Sequence, residues 1–487
     1  MWRISITGPN DAQSLNEFGI EPQTLPQARR TAQNMNRRDF LINSGRVLAG
    51  TSLFGRSAAL QSQSASPADY MIRIAPIRLE IAPGKIVHTT AFNGKVPGDL
   101  IRVREGQQVT IDVVNDTDAS DIVHWHGMEI PSLQDGAMEE GSPEIAPHGG
   151  VLRYNWTARP AGCRWYHTHM SAGHNLNRAT YTGEFGFLMV DPAANPARYD
   201  REVFLALHDW DGHVEGGAEG YREVVYDHST INDRMLGFGE PIRVREGQRV
   251  LFHILNASAT LMHNLALPGH HFLVTALDGN AVPVSALVET VRLGPAERVD
   301  AIVEMNQPGV WVFGETDGAI RKSGMGVVVE YSGHTGIPMW KDPSQFDFQY
   351  EKFGSPSRDV VPDHDEVVVP LVFKPKFEGY GDFDHWTING YSWPKAKLFE
   401  LRAGARYRLV FDNQSMDVHP VHLHRHTFEL KSLSGKPTGG VLKDVVLVAA
   451  GKKVEAVFTA DNPGKTLFHC HQQDHMDSGF MMLFDYV

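Results

Sequence analysis

The chain has 487 residues, of which 42% are hydrophobic and 21% charged, and its formal net charge is −13. This length allows two to four domains, each with its own core. The negative charge argues against nucleic acid and anionic membrane surfaces as partners. Two cysteines cannot form a disulfide framework. The chain has 24 histidines, so their arrangement decides which chemistry to consider.

Residues 1–66 have the character of a targeting segment with an N-terminal extension. Arg37 and Arg38, in "NRRDFL", precede a weakly apolar stretch and then a run of small residues. This order resembles a twin-arginine signal, and we therefore expect a periplasmic or secreted protein. Met35 stands just ahead of the motif, so Met1 and Met35 are both candidate translation starts. We expect no segment that spans a membrane.

Three stretches of the chain share one pattern, an interval of nine residues from a glycine to an asparagine. They are "IRVREGQQVTIDVVN" (101–115), "IRVREGQRVLFHILN" (242–256) and "FELRAGARYRLVFDN" (399–413). Apolar and polar residues largely alternate in each stretch, which is the pattern of a half-buried strand. A repeat of this kind predicts one domain for each copy.

A second set of stretches follows the first set in each copy. These are "AGCRWYHTH" (161–169), "PGVWVFGET" (308–316) and "PGKTLFHCH" (463–471), each ahead of an apolar closing strand. The sequence therefore predicts an all-β chain of three β-sandwiches, each of about 140 residues. The expected limits are 67–195, 196–335 and 366–487, called here the first, second and third domains, with a linker at 336–365.

Four His-x-His pairs occupy matching positions in the first and third domains. They are His124 and His126, His167 and His169, His422 and His424, and His469 and His471. Because residues two apart on a strand share a face, each pair presents two imidazoles in one direction. The same positions of the second domain hold Leu265, Leu267, Gly314 and Thr316. This distribution indicates metal ligands contributed by the first and third domains.

The alternation of side-chain directions along a strand also separates a second set of ligands in the third domain. Cys470 must point away from its neighbours, and His419 points away from the face of its own His-x-His pair. With His475 these residues make a His₂Cys set, the ligands of a blue copper centre. The corresponding residues are Asp121, Thr168 and Gly173 in the first domain, and Met262, Glu315 and Ile320 in the second. Cys163 has no such partners, and we expect a small buried strand residue.

Four motifs together resemble the multicopper oxidases, the laccase-like family, over essentially the whole mature chain. They are "HWHG" (124–127), "WYHTH" (165–169), "HPVHLHRH" (419–426) and "HCHQQDHMDSGF" (469–480). The resemblance implies three consecutive cupredoxin-like Greek-key β-sandwich domains and four copper ions. It implies a type 1 copper on His419, Cys470 and His475, and a type 2 copper on His124 and His422. It implies a type 3 pair on His126, His167, His169, His424, His469 and His471.

The resemblance also implies an activity and its partners. The type 1 copper would take single electrons from phenolic or related aromatic substrates, and the trinuclear cluster would reduce dioxygen to water with four. Cys470 would connect the two sites, because both its neighbours are cluster ligands. Dioxygen reduction consumes protons, and Asp135 and Asp474 are the expected carriers of protons to the cluster, with Asp477 as a rival of Asp474. The expected partners are dioxygen and a small reducing substrate, and the expected state is a monomer.

Two positions depart from the family pattern. Arg425 stands where relatives often have glycine, and its role stays open at this stage. Phe480 stands at the axial position of the type 1 copper, where many relatives have methionine, although a one-residue bulge would bring Met481 there instead. We expect His426 to support the ligands rather than bind metal.

Other functions compete with phenol oxidation. A copper nitrite reductase needs no type 3 pair, so the four complete His-x-His pairs argue against it. A non-catalytic relative, acting as a structural or cell-envelope binding protein, would be expected to have lost ligands, and none is missing. A copper-sequestering envelope protein stays open as the non-enzyme alternative, and copper stoichiometry with oxygen-uptake measurements would separate it. A metal-ion oxidase of the same family, for cuprous, ferrous or manganous ions, is the nearest alternative. The 16 methionines show no cluster apart from "FMMLF", and this favours organic substrates.

Overall fold

The computed structural model describes residues 67–194, 198–216, 222–355, 365–378 and 382–487. Within these ranges, thirty strands form six sheets, which occur as three consecutive pairs along the chain. This arrangement confirms the predicted all-β fold of stacked sandwiches. None of the helices in these ranges is long and apolar enough to cross a membrane. The predicted twin-arginine signal lies outside the described residues.

The first pair of sheets lies between residues 70 and 191. Its strands are β1 (Tyr70–Ala82), β2 (Lys85–Phe92), β3 (Ile101–Arg104), β4 (Gln108–Asn115), β5 (Val123–His126), β6 (Gly150–Thr157), β7 (Gly162–Thr168) and β8 (Phe185–Asp191). The strand orders are β2-β1-β4-β6 and β3-β8-β7-β5. Between β5 and β6 lie helix α1 (Ser132–Asp135) and the 3-10 turn Met138–Glu140, and Ala179–Tyr181 forms a second such turn.

The second pair of sheets lies between residues 201 and 331. Its strands are β9 (Arg201–Gly216), β10 (Arg222–Ile231), β11 (Ile242–Val244), β12 (Arg249–Asn256), β13 (His263–Ala266), β14 (Phe272–Leu277), β15 (Asn280–Val288), β16 (Thr290–Leu293), β17 (Arg298–Glu304), β18 (Val310–Glu315) and β19 (Gly326–Tyr331). The strand orders are β10-β9-β12-β17-β14-β15 and β11-β19-β18-β13-β16. Helix α2 (Gly318–Lys322) joins β18 to β19.

The third pair of sheets ends the chain. Its strands are β20 (Glu366–Glu378), β21 (Asp382–Ile388), β22 (Phe399–Leu401), β23 (Arg406–Asn413), β24 (His419–Leu423), β25 (Phe428–Leu433), β26 (Lys436–Lys443), β27 (Val445–Val448), β28 (Lys453–Thr459), β29 (Thr466–Cys470) and β30 (Met481–Tyr486). The strand orders are β21-β20-β23-β28-β25-β26 and β22-β30-β29-β24-β27. Helix α3 (Gln473–Asp477) lies between β29 and β30.

A buried asparagine explains the interval that repeats in the sequence. Asn115, Asn256 and Asn413 end β4, β12 and β23. Each side-chain amide donates to a main-chain carbonyl outside its own sheet: that of Ile145, between β5 and β6, at 3.0 Å, that of Leu293 on β16 at 3.1 Å and that of Val448 on β27 at 3.0 Å, respectively. Buried polar groups require partners of this kind. The asparagine therefore ties the two sheets together in the second and third domains, and in the first domain it ties β4 to the segment between β5 and β6.

The predicted linker packs onto the sandwiches. Its 3-10 turn, Tyr350–Phe353, contacts β15 of the second domain and β26 of the third. Phe353 is fully buried there. Cys163 is a free cysteine on β7 and is fully buried, as predicted.

Candidate metal centres

Two pairs of strands bring the four His-x-His pairs together. His124 on β5 lies opposite His167 on β7, and His422 on β24 lies opposite His469 on β29. The rings meet between the first and third domains; those of His126 and His422 are stacked with their centroids 3.8 Å apart. All eight histidines are buried, and none is more than 4% exposed. The structure therefore places all the predicted pairs in one cluster.

The donor atoms of this eight-histidine cluster fall into three sets, within each of which they lie no more than 4.8 Å apart. The sets are His126, His167 and His471; His169, His424 and His469; and His124 and His422 together with His126. The cluster thus consists of two three-histidine sites and an adjoining pair. Each of the three combines histidines from the first and third domains.

Main-chain carbonyl groups orient four of these imidazoles. The Nδ1 atoms donate to the carbonyl oxygens of Asp135 (from His124, 2.9 Å), Thr168 (from His167, 2.7 Å), Asp444 (from His422, 2.7 Å) and Cys470 (from His469, 2.9 Å). A carbonyl only accepts, so Nδ1 carries the hydrogen and Nε2 keeps its lone pair. The Nε2 atoms of His124, His167 and His422 are buried without a hydrogen-bond partner. Unpaired buried nitrogens that converge are the donor set that a metal ion such as copper satisfies.

Burial also keeps the cluster in a form that can bind metal. It lowers the pKa of His126, His422 and His471 well below the ordinary value, and the neighbouring imidazoles lower them further. The pKa of His469 falls to about 3 for the same reason. Neutral imidazole is the form that coordinates a metal, so these residues need not lose a proton to do so.

A second, smaller site lies in the third domain on the opposite side of β29. The Cys470 Sγ is 3.5 Å from Nδ1 of His475 and 3.7 Å from Nδ1 of His419. The Ser415 hydroxyl is 2.9 Å from Nε2 of His419 and leaves its Nδ1 facing the sulfur. The ring of Trp386 lies 4.6 Å from both imidazole rings. This His₂Cys set is compact, buried and separate from the eight-histidine cluster.

Phe480 lies at this smaller site and Met481 does not. The Phe480 side chain is fully buried, with its ring 4.8 Å from that of His419. Met481 lies opposite His469 on the neighbouring strand and packs in a separate apolar cluster with Leu467. The strand thus directs Phe480 towards Cys470 and Met481 towards the other face.

Asp135 contacts the eight-histidine cluster directly. Its Oδ2 lies 2.8 Å from Nδ1 of His424 and 3.2 Å from Nδ1 of His124. The side chain is fully buried, and its Oδ1 has no hydrogen-bond partner. The predicted acidic residue therefore bridges two sets of candidate ligands.

Glu140 lies beside Asp135, and sequence reasoning did not find it. Its Oε1 accepts a hydrogen bond of 2.7 Å from the Leu467 amide and lies 3.4 Å from Nδ1 of His424. Burial, and then the neighbouring Asp135, raises the pKa of Glu140 well above the ordinary value. The stretch "AMEEG" carries no motif that marks this glutamate. Asp444, which touches two cluster histidines, was missed for the same reason.

Asp474 and Asp477 both lie on helix α3. The Asp474 Oδ2 is 4.0 Å from Nε2 of His475, and burial raises the Asp474 pKa to about 6. Asp477 accepts hydrogen bonds from the amides of Ala172 and Gly173, and burial raises its pKa to about 6 as well. Asp474 thus lies beside the smaller site, whereas Asp477 ties the third domain to the first.

Arg425 is a buried connector between the first and third domains. Its guanidinium donates to five acceptors: the carbonyl oxygens of Ile130, Lys465, Asn462 and Pro463 and the hydroxyl of Thr466. Its backbone φ is +61°, a region that non-glycine residues rarely adopt. Nε2 of His426 lies 2.7 Å from the Tyr486 hydroxyl, and its Nδ1 lies 3.0 Å from the carbonyl oxygen of His424.

The second domain places a histidine, His263, where the sequence comparison placed Met262, so that assignment is wrong. The reason is one additional residue in the loop after Asn256. The Asn256 amide donates to the carbonyl five residues on, whereas that of Asn413 donates to the carbonyl four residues on. His263 then pairs across the sheet with Leu293 as His419 pairs with Val448.

The same shift leaves the remaining ligand positions of the second domain without metal donors. Ala266, and not the expected Leu265, takes the place of His422 opposite Gly314, so that assignment is wrong as well. Glu315 keeps the place of Cys470, and its Oε2 is 3.0 Å from Nδ1 of His263. An ion pair therefore occupies the position of the His₂Cys site.

Comparison with known proteins agrees with this geometry. Profiles described as multicopper oxidase match residues 74–195, 202–328 and 369–487. The multicopper oxidase MmcO of Mycobacterium tuberculosis is 28% identical over 464 residues, covering 85% of this chain and 86% of its own. Laccase-1 of Melanocarpus albomyces is 26% identical over 504 residues, covering 85% of this chain and 77% of its own.

Solved structures show the same fold. Fet3p, described as a multicopper oxidase that functions in iron import, superposes with a TM-score of 0.74 at 18% identity, covering 86% of this chain and 90% of its own. The three profile matches extend over most of the sequence, and the chain belongs to the multicopper oxidase family.

Proposed function

We propose that the chain is a laccase-like oxidase that uses dioxygen to oxidise phenolic or related aromatic compounds. The observation that carries this proposal is the position of Cys470, between two ligands of the eight-histidine cluster and within the His₂Cys set. Bound copper would supply one-electron oxidation at the smaller site and four-electron reduction of dioxygen to two waters at the larger one.

The donor sets support a distribution of four copper ions. His419, Cys470 and His475 would hold the type 1 copper, and His124 and His422 the type 2 copper. The two three-histidine sites would hold the type 3 pair: His126, His167 and His471 on one ion, and His169, His424 and His469 on the other.

Cys470 provides a covalent path between the two sites. Its side chain points to one face of β29, while those of His469 and His471 point to the other. Only one peptide bond separates the cysteine from each of these histidines, so electrons can pass through bonds rather than through space.

Reduction of dioxygen to two waters consumes four protons, and two acids are suited to move them. Asp135 contacts His124 and His424 and is our proposed proton carrier at the eight-histidine cluster. Asp474 lies 4.0 Å from His475, at the other site. We therefore depart from the sequence expectation, in which Asp474 carries protons to the cluster, and assign Asp474 the proton that a phenol releases when it gives up an electron.

Substrate most easily reaches the smaller site at His475. This residue is 7% exposed, whereas His419 and Cys470 are fully buried. Burial raises the pKa of Asp417. The charge of His475 acts to lower this pKa, and the charges of Asp474 and Glu223 raise it further. A group of carboxylates beside His475 favours a second candidate function, oxidation of a metal ion such as Fe(II) or Mn(II), because these ions prefer oxygen ligands. The likeness to Fet3p, named for iron import, points the same way.

Oxygen uptake by the copper-loaded protein separates the two candidates. Phenols, aromatic amines, Cu(I), Fe(II) and Mn(II) are supplied in turn, with Cys470→Ser as the control that lacks the thiolate. Phenol oxidation predicts fast uptake with phenols that persists in Asp417→Asn. Uptake with metal ions alone, lost in Asp417→Asn, would establish the second function instead. Copper binding without any oxygen uptake would indicate a non-catalytic copper-binding protein.

We also propose export through the twin-arginine pathway, based on Arg37 and Arg38. Replacing both by lysine should keep the protein in the cytoplasm of a bacterial host. Cell fractionation and gel filtration of the exported protein test this location and the proposed monomeric state.

A further inference from the structure

The second domain contributes none of the candidate metal ligands, yet it reaches the eight-histidine cluster through buried charges. Arg298, at the start of β17, forms a two-pronged ion pair with Asp444 of the third domain. The two bonds are 2.7 Å, from Nη1 to Oδ1, and 2.6 Å, from Nη2 to Oδ2. Both side chains are essentially fully buried. A planar fork of this kind is a geometry that arginine provides and lysine does not.

Asp444 in turn holds two candidate ligands. Its Oδ1 lies 3.1 Å from Nε2 of His126, and its carbonyl oxygen accepts from Nδ1 of His422 at 2.7 Å. A carboxylate that is paired with arginine accepts hydrogen bonds, so Nε2 of His126 carries the hydrogen. The Nδ1 of His126 is then the atom with a free lone pair, and it is buried without a partner. His126 is therefore turned the opposite way from His124, His167 and His422.

The second domain also fixes the position of the ion pair. The Asp278 Oδ1 accepts from the Arg298 amide at 3.0 Å, and its Oδ2 accepts from the Val445 amide at 3.1 Å. Lys443 bridges Asp278 and Glu297, both at 2.9 Å. Arg164 of the first domain adds a third cation, with its Nη1 3.5 Å from Oδ2 of Asp444. Three buried cations thus face three buried carboxylates, so the Arg298–Asp444 fork is held on both sides.

Gly127 shows how closely the first domain approaches this fork. It follows His126 directly and has φ of +80°. A Cβ atom at this position would lie 2.6 Å from Oδ2 of Asp444 and 2.8 Å from Nη2 of Arg298. The glycine of "HWHG" therefore lets His126 reach Asp444. Any larger residue would push the first domain away from Asp444 and Arg298.

From these contacts we infer that Arg298 of the second domain is a positioning residue for the copper cluster, acting through Asp444 to fix the orientation and hydrogen position of His126. The inference rests on the proposed copper binding at the cluster. Its physical basis is that a hydrogen-bond partner behind a metal-binding histidine selects which nitrogen faces the metal. The second domain thereby takes part in building a site to which it supplies no ligand.

Arg298→Lys in the copper-loaded full chain tests this inference. Lysine keeps the positive charge but cannot hold both oxygens of Asp444. We expect about 10- to 100-fold weaker retention of copper at the cluster, measured by competition with a chelator. The near-ultraviolet absorption of the paired coppers and the electron paramagnetic resonance of the type 2 copper should change. The blue absorption of the His₂Cys site should stay as in the parent protein.

Arg408→Lys is the matched control. Arg408 is a buried arginine on β23 of the third domain. Its guanidinium pairs with Glu366 and Glu455, at 2.8 Å each. Arg408→Lys should lower the stability of the protein by about as much as Arg298→Lys does, without altering copper retention or the cluster spectra. Gly127→Ala provides a second route to the same defect, because its added methyl group would displace the Arg298–Asp444 pair without changing either residue of the pair.

Each result has a distinct meaning. Cluster spectra and copper retention equal to the parent in both Arg298→Lys and Gly127→Ala would overturn the inference. Equal losses in Arg408→Lys and Arg298→Lys would reduce Arg298 to a general stabilising role, and would also overturn it. A parent protein without blue absorption or cluster copper would instead refute the proposed function.

Discussion

Nδ1 of His263 lies 3.0 Å from Oε2 of Glu315, and these residues occupy the places in the second domain that His419 and Cys470 occupy in the third. Asp209 contacts Nε2 of the same imidazole, also at 3.0 Å. Despite burial, the two carboxylates raise the pKa of His263 to about 10. An imidazolium with both nitrogens engaged has no lone pair for a metal. One fold position therefore holds a thiolate site in one domain and an ion triad in another.

This triad predicts a stability that depends on pH. The folded pKa of His263 is raised, so its contribution is complete below the unfolded value near 6.5 and is lost as pH rises towards 10. His263→Gln should cost about 3–5 kcal/mol at pH 7, because it leaves two buried carboxylates without their cation. The difference from the parent should shrink as pH approaches 10. Denaturant unfolding of the copper-free proteins between pH 6 and 10 measures it, and a constant difference would contradict the assignment.

Much of the candidate site could be predicted from local sequence patterns. The alternation of side chains along a strand is a property of a few consecutive residues, so it separated Cys470 from His469 and His471 correctly. The repeated interval ending in Asn115 and Asn413 placed the His-x-His pairs at equivalent points. These features require no knowledge of distant contacts.

Contacts between distant parts of the chain were beyond this reasoning. Glu140 and Asp444 reach the cluster from segments without a motif, and only the packing of three domains brings Arg298 to Asp444. The error at Met262 has a different cause: counting from a glycine cannot detect one additional loop residue. Hydrogen bonding in the folded sheet was needed to show that His263 holds that position.

Arg425 yields a prediction about backbone conformation. Its removal leaves three main-chain carbonyls and the Thr466 hydroxyl without the guanidinium that donates to them. The Ile130 carbonyl keeps a donor in the side-chain amide of Asn462. Both Arg425→Ala and Arg425→Gly should therefore destabilise the protein. Glycine adopts φ of +61° without the penalty of about 1–2 kcal/mol that other residues incur. Arg425→Gly should therefore be the more stable of the two variants by about 1 kcal/mol. Equal thermal unfolding of the two would show that the local φ relaxes.

Cys470→Ser should separate the two copper sites. The intense blue colour requires copper bonded to a thiolate, so this variant should be colourless in that band. The eight histidines are unchanged, and the cluster coppers should remain bound. Absorption spectra together with copper analysis check both statements. A variant that stayed blue, or that turned over phenols at the normal rate, would place the type 1 site elsewhere.

Asp135→Asn and Asp474→Asn should slow different halves of the reaction. Asp135 contacts cluster histidines, so its amide variant should slow reoxidation of the reduced enzyme by dioxygen by about 100-fold or more, the usual contribution of a proton-transfer residue. Asp474 lies beside His475, so its amide variant should slow reduction by phenols instead. Anaerobic reduction followed by rapid mixing with oxygen measures each half separately. Equal slowing of both halves in either variant would indicate a structural effect.

Phe480 leads to a prediction about the reduction potential of the smaller site. A phenyl ring cannot donate a lone pair as a methionine sulfur can, and a weak axial donor stabilises Cu(II) more than Cu(I). The apolar ring also excludes water, which disfavours the more highly charged oxidised state. We therefore expect a high-potential type 1 copper, and Phe480→Met should lower its potential in a redox titration. Met481→Leu is the control, because Met481 packs with Leu467 on the other face of the strand and should leave the potential unchanged. A higher potential in Met481→Leu, together with an unchanged potential in Phe480→Met, would assign the axial position to Met481.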